Sequence, residues 1–69
     1  MIVTKPNSTC IVEATYDTKR HDMTIEFARG GRYKYADVPE SVYHALVTAP
    51  SVGRAFHATI RGHYATTRI

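Results

Sequence analysis

The stretch Met23-Thr24-Ile25-Glu26-Phe27-Ala28-Arg29-Gly30-Gly31-Arg32-Tyr33-Lys34-Tyr35-Ala36 decides the fold. Met23, Ile25 and Phe27 alternate with Thr24 and Glu26, the period of two expected of a strand with one buried face. Arg29-Gly30-Gly31 tolerates positive φ, and the chain returns extended from Arg32 to Ala36, so the whole reads as an antiparallel hairpin. A three-residue loop at Arg29-Gly30-Gly31 sets Phe27 against Tyr33 and Ile25 against Tyr35, which puts both tyrosines on the apolar face. A two-residue Gly30-Gly31 turn would reverse that facing and oppose Arg29 to Arg32, a repulsive pairing. The first register is favoured, leaving Arg32 and Lys34 to solvent beside Thr24 and Glu26 as a basic strip on the open face.

Upstream, Cys10 to Tyr16 alternates with Val12, Ala14 and Tyr16 on one side and Ile11, Glu13 and Thr15 on the other, Ile11 being the exception. The polar run Asp17 to Asp22 is a turn, so three strands form an antiparallel meander. Downstream, Pro39 suits a first helical position and Glu40 complements the positive end of the helix dipole. Val42 and Leu46, with Tyr43 and Val47, form an apolar stripe, and Pro50 ends that helix near Thr48 or Ala49. Ser51 caps a second helix, whose Val52, Phe56 and Ile60 repeat every four residues until Gly62 stops it. The expectation is α+β: a three-stranded β-meander followed by two short α-helices packed on one sheet face. Residues 1–7 and 65–69 are expected to be less ordered, and His63 to Ile69 reads as a short basic tail.

A chain of 69 residues is enough for one domain, and at this size folding buries only about 60% of the unfolded surface. Ile11, Val12, Ile25, Phe27, Val42, Leu46, Val47, Phe56 and Ile60 supply the large aliphatic and phenyl groups for a small core. No apolar run approaches the roughly 20 residues of a membrane span, and the first residues lack a secretory apolar stretch, so a cytoplasmic protein is expected. Cys10 is the sole cysteine, which excludes an intrachain disulfide and a cysteine metal cluster. Nine basic residues, six of them arginine, against six acidic ones give a net charge of +3. Arginine favours planar anions such as phosphate, so this balance permits nucleic-acid binding without demanding it.

The motifs Ser8-x-x-Ile11, Tyr16-Asp17, Met23-x-Ile25-x-Phe27, Gly30, Tyr33-x-Tyr35, Val38-Pro39 and Tyr43-x-x-Leu46-x-x-Ala49 follow one another in an order that resembles the KTSC domain family. Ser51-x-Gly53, Phe56, Ile60-Arg61, Tyr64 and Arg68 continue the resemblance over nearly the whole chain. Ala55 departs from it where an aromatic is expected, and Cys10 where a polar residue is common. The resemblance implies a module of this length, appended to some lysyl-tRNA synthetases and free-standing in bacteria and phages. It implies RNA binding only through that association.

Against stacking on bases, the register argues that Tyr33 and Tyr35 build the core and send their hydroxyls to the rim. Arg54 and Arg61 share one helix side with His57, with Arg68 following in the tail, and this cluster is the better phosphate candidate. The candidate RNA-binding residues are therefore Arg32, Lys34, Arg54, Arg61 and Arg68. His21, His44, His57 and His63 lack the spacing of a zinc site, and no serine sits in a glycine-flanked elbow, so neither metal, cofactor nor catalysis is expected. The reading is a small non-enzymatic module binding RNA (tRNA or structured RNA). A protein-binding module, for instance a phage protein acting on a host factor, is the alternative, and a structural homo-oligomer a further one.

Overall fold

The computed structural model describes residues 1–69. Its strands are β1 (Ile2–Thr4), β2 (Ile11–Asp17), β3 (Asp22–Phe27), β4 (Arg32–Tyr35) and β5 (Thr66–Arg68), with helices α1 (Glu40–Val47) and α2 (Val52–Thr59) between β4 and β5. All neighbours pair antiparallel in the order β1-β2-β3-β4-β5. The class is α+β as expected, but the sheet has five strands and not three. Both additions are edge strands of three residues drawn from the expected ends of lower order. They are too short for an alternating signal. β1 holds on β2 through Val3 opposite Thr15, and β5 completes β4 through Lys34 opposite Thr67.

The β3–β4 hairpin corrects the expected register. Ile25 faces Tyr33 and Met23 faces Tyr35, while Phe27 is bonded to Gly31 by its N–H and to the Gly30 N–H by its carbonyl, at 3.1 and 3.0 Å. The loop is thus Ala28-Arg29-Gly30, one residue earlier than expected, with Gly30 and Gly31 at φ of 100° and 92°. Slipping the loop by one residue slips the ladder by two, and a slip of two preserves facing. Tyr33 and Tyr35 accordingly lie on the helix-bearing side, Tyr35 buried and Tyr33 half-buried.

A second irregularity corrects β2. Ile11 pairs with Phe27 but Glu13 pairs with Glu26, so one extra residue is inserted between them. Such a bulge lets the strand keep its core-facing residues on both sides of the break. Ile11, Ala14 and Tyr16 are buried, and Val12 is turned outward at 45% exposure.

The helices cover the apolar face as the stripes require. Pro39 occupies the cap of α1 in an extended conformation and Glu40 its first turn. Tyr43 and Leu46 are buried, with Val42 and Val47 half-buried beside them. In α2 the Ser51 hydroxyl accepts from the Arg54 N–H at 3.4 Å, and Val52, Phe56 and Ile60 all face the core. No helix is long and apolar enough to cross a membrane.

Candidate functional site

Four aromatic rings meet where β3 and β4 pass beneath α2. The ring of Phe56 stands edge-to-face with Phe27 at 5.3 Å and with Tyr35 at 5.7 Å, and Phe27 stands edge-to-face with Tyr33 at 5.8 Å. Each such pair adds about 0.5–1.5 kcal/mol beyond its buried area. Gly31 fixes the outermost ring, since a Cβ there would approach Tyr33 Cε1 at 3.3 Å. The absence of a Cβ at Gly31 therefore serves both the positive-φ turn and the lie of the tyrosine.

These rings wall two adjoining hollows. One, of about 400 Å³, runs between β4 and the end of α2 and is edged by His57, Arg61, Gly62 and Thr66. The other, of about 520 Å³, opens towards Thr9, Cys10, Arg29 and Gly30. Phe27 and Tyr33 belong to both. The last turn of α2 brings Arg61 into place: the N–H groups of Ile60 and Arg61 both donate to the Phe56 carbonyl, at 2.9 and 3.0 Å. That second, longer-range bond widens the turn. The Arg61 guanidinium then lies 3.4 Å from His57 Nδ1.

Burial pushes the Tyr35 phenol above its ordinary pKa, the neighbouring Tyr33 adds to the rise, and Arg61 opposes it. Tyr35 is therefore a neutral hydroxyl at physiological pH, able both to donate and to accept. No buried side-chain oxygen in the chain lacks a partner, so the Tyr35 hydroxyl, which has none within the protein, opens to solvent in the first hollow.

No carboxylate lines either hollow. Glu13, Asp17, Asp22 and Glu26 lie on the opposite sheet face, where the register sets Glu13 against Glu26 and Asp17 against Asp22. Asp37 and Glu40 edge a separate hollow with His21. Asp17 is tied into its turn by accepting from the Arg20 and Lys19 N–H groups, and these bonds hold its carboxyl below the usual range.

The structure divides the five predicted RNA contacts. Arg32 and Lys34 do sit on the open sheet face, but that face is no basic strip: Arg32 pairs with Glu26 across the ladder, and Lys34 Nζ lies 3.9 Å from Asp22. Arg54, His57 and Arg61 stay on one exposed side of α2, and of these His57 and Arg61 edge the groove. Arg68 faces Tyr33 across the β4–β5 ladder, which puts its side chain on the groove side of the sheet. Sequence reasoning assigned Arg29 to the turn alone and Phe27 to the core. The signal for both was present in Phe27-Ala28-Arg29, a strand end where an inward aromatic is followed two residues later by a cation.

Comparison with known proteins gives a consistent result. The KTSC domain model matches residues 7–64. A lysine–tRNA ligase from Nostoc punctiforme is 40% identical over 87% of the chain, and one from Trichormus variabilis 38% identical over the same share. The chain spans 11% of the length of each ligase. An uncharacterized protein from Stutzerimonas stutzeri is 38% identical, with 78% of each chain covered. The crystal structure of a KTSC domain protein from Yersinia pestis superposes with a TM-score of 0.90 at 30% identity, covering 99% of both chains. The chain thus belongs to the KTSC domain family.

Proposed function

We propose that this domain is a non-enzymatic module that binds RNA, and that it does so through the aromatic groove and not through the open sheet face. One observation carries the reading: both hollows combine aromatic walls with arginine at the edge and have no carboxylate, whereas all six acidic side chains lie elsewhere. Half-buried rings offer a π-face to an unpaired base, worth about 1–3 kcal/mol per base stacked. Arg61, Arg29 and Arg68 supply the phosphate contacts, with Arg54 along the helix extending the positive field. The relatives that carry this module within a lysine–tRNA ligase handle RNA by name, which supports the same class of ligand.

The test is anisotropy of a labelled single-stranded RNA at low salt. Binding should weaken with salt at a log-log slope of about −0.7 per phosphate engaged, and Arg61→Ala should weaken it while Lys34→Ala leaves it unchanged. Absence of binding at low salt, or loss caused by Lys34→Ala alone, overturns the reading.

A second reading draws on the sheet edges. Val3 in the outer strand β1 is 58% exposed, and an edge strand with apolar side chains is suited to docking an extended segment of a partner protein or of a second copy. Nuclease-resistant recovery of one partner, lost when Val3 is changed to lysine, would favour this reading over RNA.

A further inference from the structure

Phe27 and Tyr33 form a partition, with a hollow on either side and a different arginine at the far edge of each. We infer that the groove is a footprint for two consecutive unpaired nucleotides, one base on each side of the Phe27–Tyr33 partition, with flanking phosphates at Arg61 and Arg29. This rests on the RNA reading above and specifies its form.

The argument is one of shape and charge. At about 400 and 520 Å³ each hollow falls within the range of about 300–1,000 Å³ typical of small-ligand sites, so each accommodates a nucleotide. The two rings are inclined at 70°, which turns a different aromatic surface to each side. A base paired in a helix keeps its faces covered by its neighbours, so only an unstacked base can reach these rings. The Tyr35 hydroxyl with Thr66 gives the Arg61 side hydrogen-bonding groups for a base edge or a ribose. The Arg29 side offers Thr9 and the Cys10 thiol instead, so the two positions differ in what they read.

Calorimetry on the full chain at low salt, with uridylates of one, two, three and six nucleotides and a blunt RNA duplex, tests the footprint. Affinity should rise at least about fivefold from one nucleotide to two, as a second stack predicts, then by little more than the added number of binding registers. Arg29→Gln and Arg61→Gln should each remove about 0.7 from the salt slope. Cys10 is exposed and reports on the second hollow: saturating dinucleotide should slow its alkylation several-fold, and mononucleotide much less. Affinity climbing evenly to six nucleotides, equal affinity for the duplex, or Cys10 alkylation unchanged while calorimetry shows binding overturns the footprint and leaves RNA binding standing. Silence from every oligonucleotide and from long unpaired RNA overturns the RNA reading itself. Tyr33→Leu, which keeps bulk but removes the π-face, should return dinucleotide affinity to that of the mononucleotide; retained affinity in a variant with the native circular dichroism spectrum also overturns the footprint.

Discussion

Two pairs of tyrosines lie in the layer between the sheet and the helices, Tyr16 on β2 with Tyr43 on α1 and Tyr33 with Tyr35 on β4, and meet different fates. Tyr16 and Tyr43 stack at 5.2 Å, each with no exposed surface. Their hydroxyls are spent inside the protein: Tyr16 donates to the Val38 carbonyl at 2.6 Å, and Tyr43 donates to the Ala14 carbonyl at 3.2 Å with Thr4 Oγ1 alongside. Tyr33 and Tyr35 sit on β4, where α2 ends, and their hydroxyls face the groove. The same residue type therefore closes the interior where a backbone carbonyl is within reach and lines a surface where none is. Under the proposed RNA reading, stability and binding fall to separate tyrosines, and that separation can be attacked.

The largest effect is expected from Tyr43→Ala, which opens a cavity between α1 and β2. Truncating a buried aromatic costs about 3–5 kcal/mol, a large share of what so small a domain possesses, so thermal unfolding should show a collapse in Tm. Next, Tyr16→Phe leaves the Val38 carbonyl without its donor, and a stranded buried acceptor costs about 1–3 kcal/mol. Its RNA affinity, measured below the lowered Tm, should equal that of the parent. Tyr33→Ala should behave in the opposite way, losing about 1–3 kcal/mol of RNA affinity with a smaller change in Tm, because the ring is only half-buried. Equal destabilisation by Tyr33→Ala and Tyr16→Phe would break the comparison.

Alkaline titration sharpens it. Burial first, then the carboxylates of Glu40, Asp17 and Asp22, hold the Tyr16 phenol above its ordinary pKa. A folded value above the unfolded one of about 10 means that stability is fully present below that pH. It is lost as pH rises through the folded value, because the unfolded chain releases the proton first. Tm followed upward from pH 9 should fall less steeply in Tyr16→Phe. The smallest effect is expected from Lys34→Ala: its long, half-exposed ion pair with Asp22 belongs to a class worth about 0–1 kcal/mol, and neither Tm nor RNA affinity should move appreciably.

What the sequence revealed was whatever repeats. Met23, Ile25 and Phe27 announced a strand, and Val52, Phe56 and Ile60 a helix, because a buried face needs an apolar residue at every return of the period. The features it hid are single events that no period carries. One inserted residue near Val12 moved Ile11 inward, and a loop starting at Ala28 instead of Arg29 shifted every partner of β4. β1 and β5 take their places from backbone pairing with strands already formed, so their own three residues needed to announce nothing. The groove was half legible: Tyr33, Tyr35, His57 and Arg61 were all singled out, but on the separate grounds of core and helix surface. Bringing them together required the widened turn at the end of α2.

The strand order has a consequence for how such a module is carried. Because β1 and β5 are the opposite edges of a five-stranded sheet, the strands by which the chain enters and leaves are separated across the sheet by four strand spacings, about 19 Å. The first hollow lies on the exit side, walled by β4 and edged by Thr66 at the start of β5. A polypeptide joined ahead of Met1 would therefore pull on the far edge of the sheet, turning the domain into an outrigger whose Arg61-edged hollow is held clear of whatever it is tethered to.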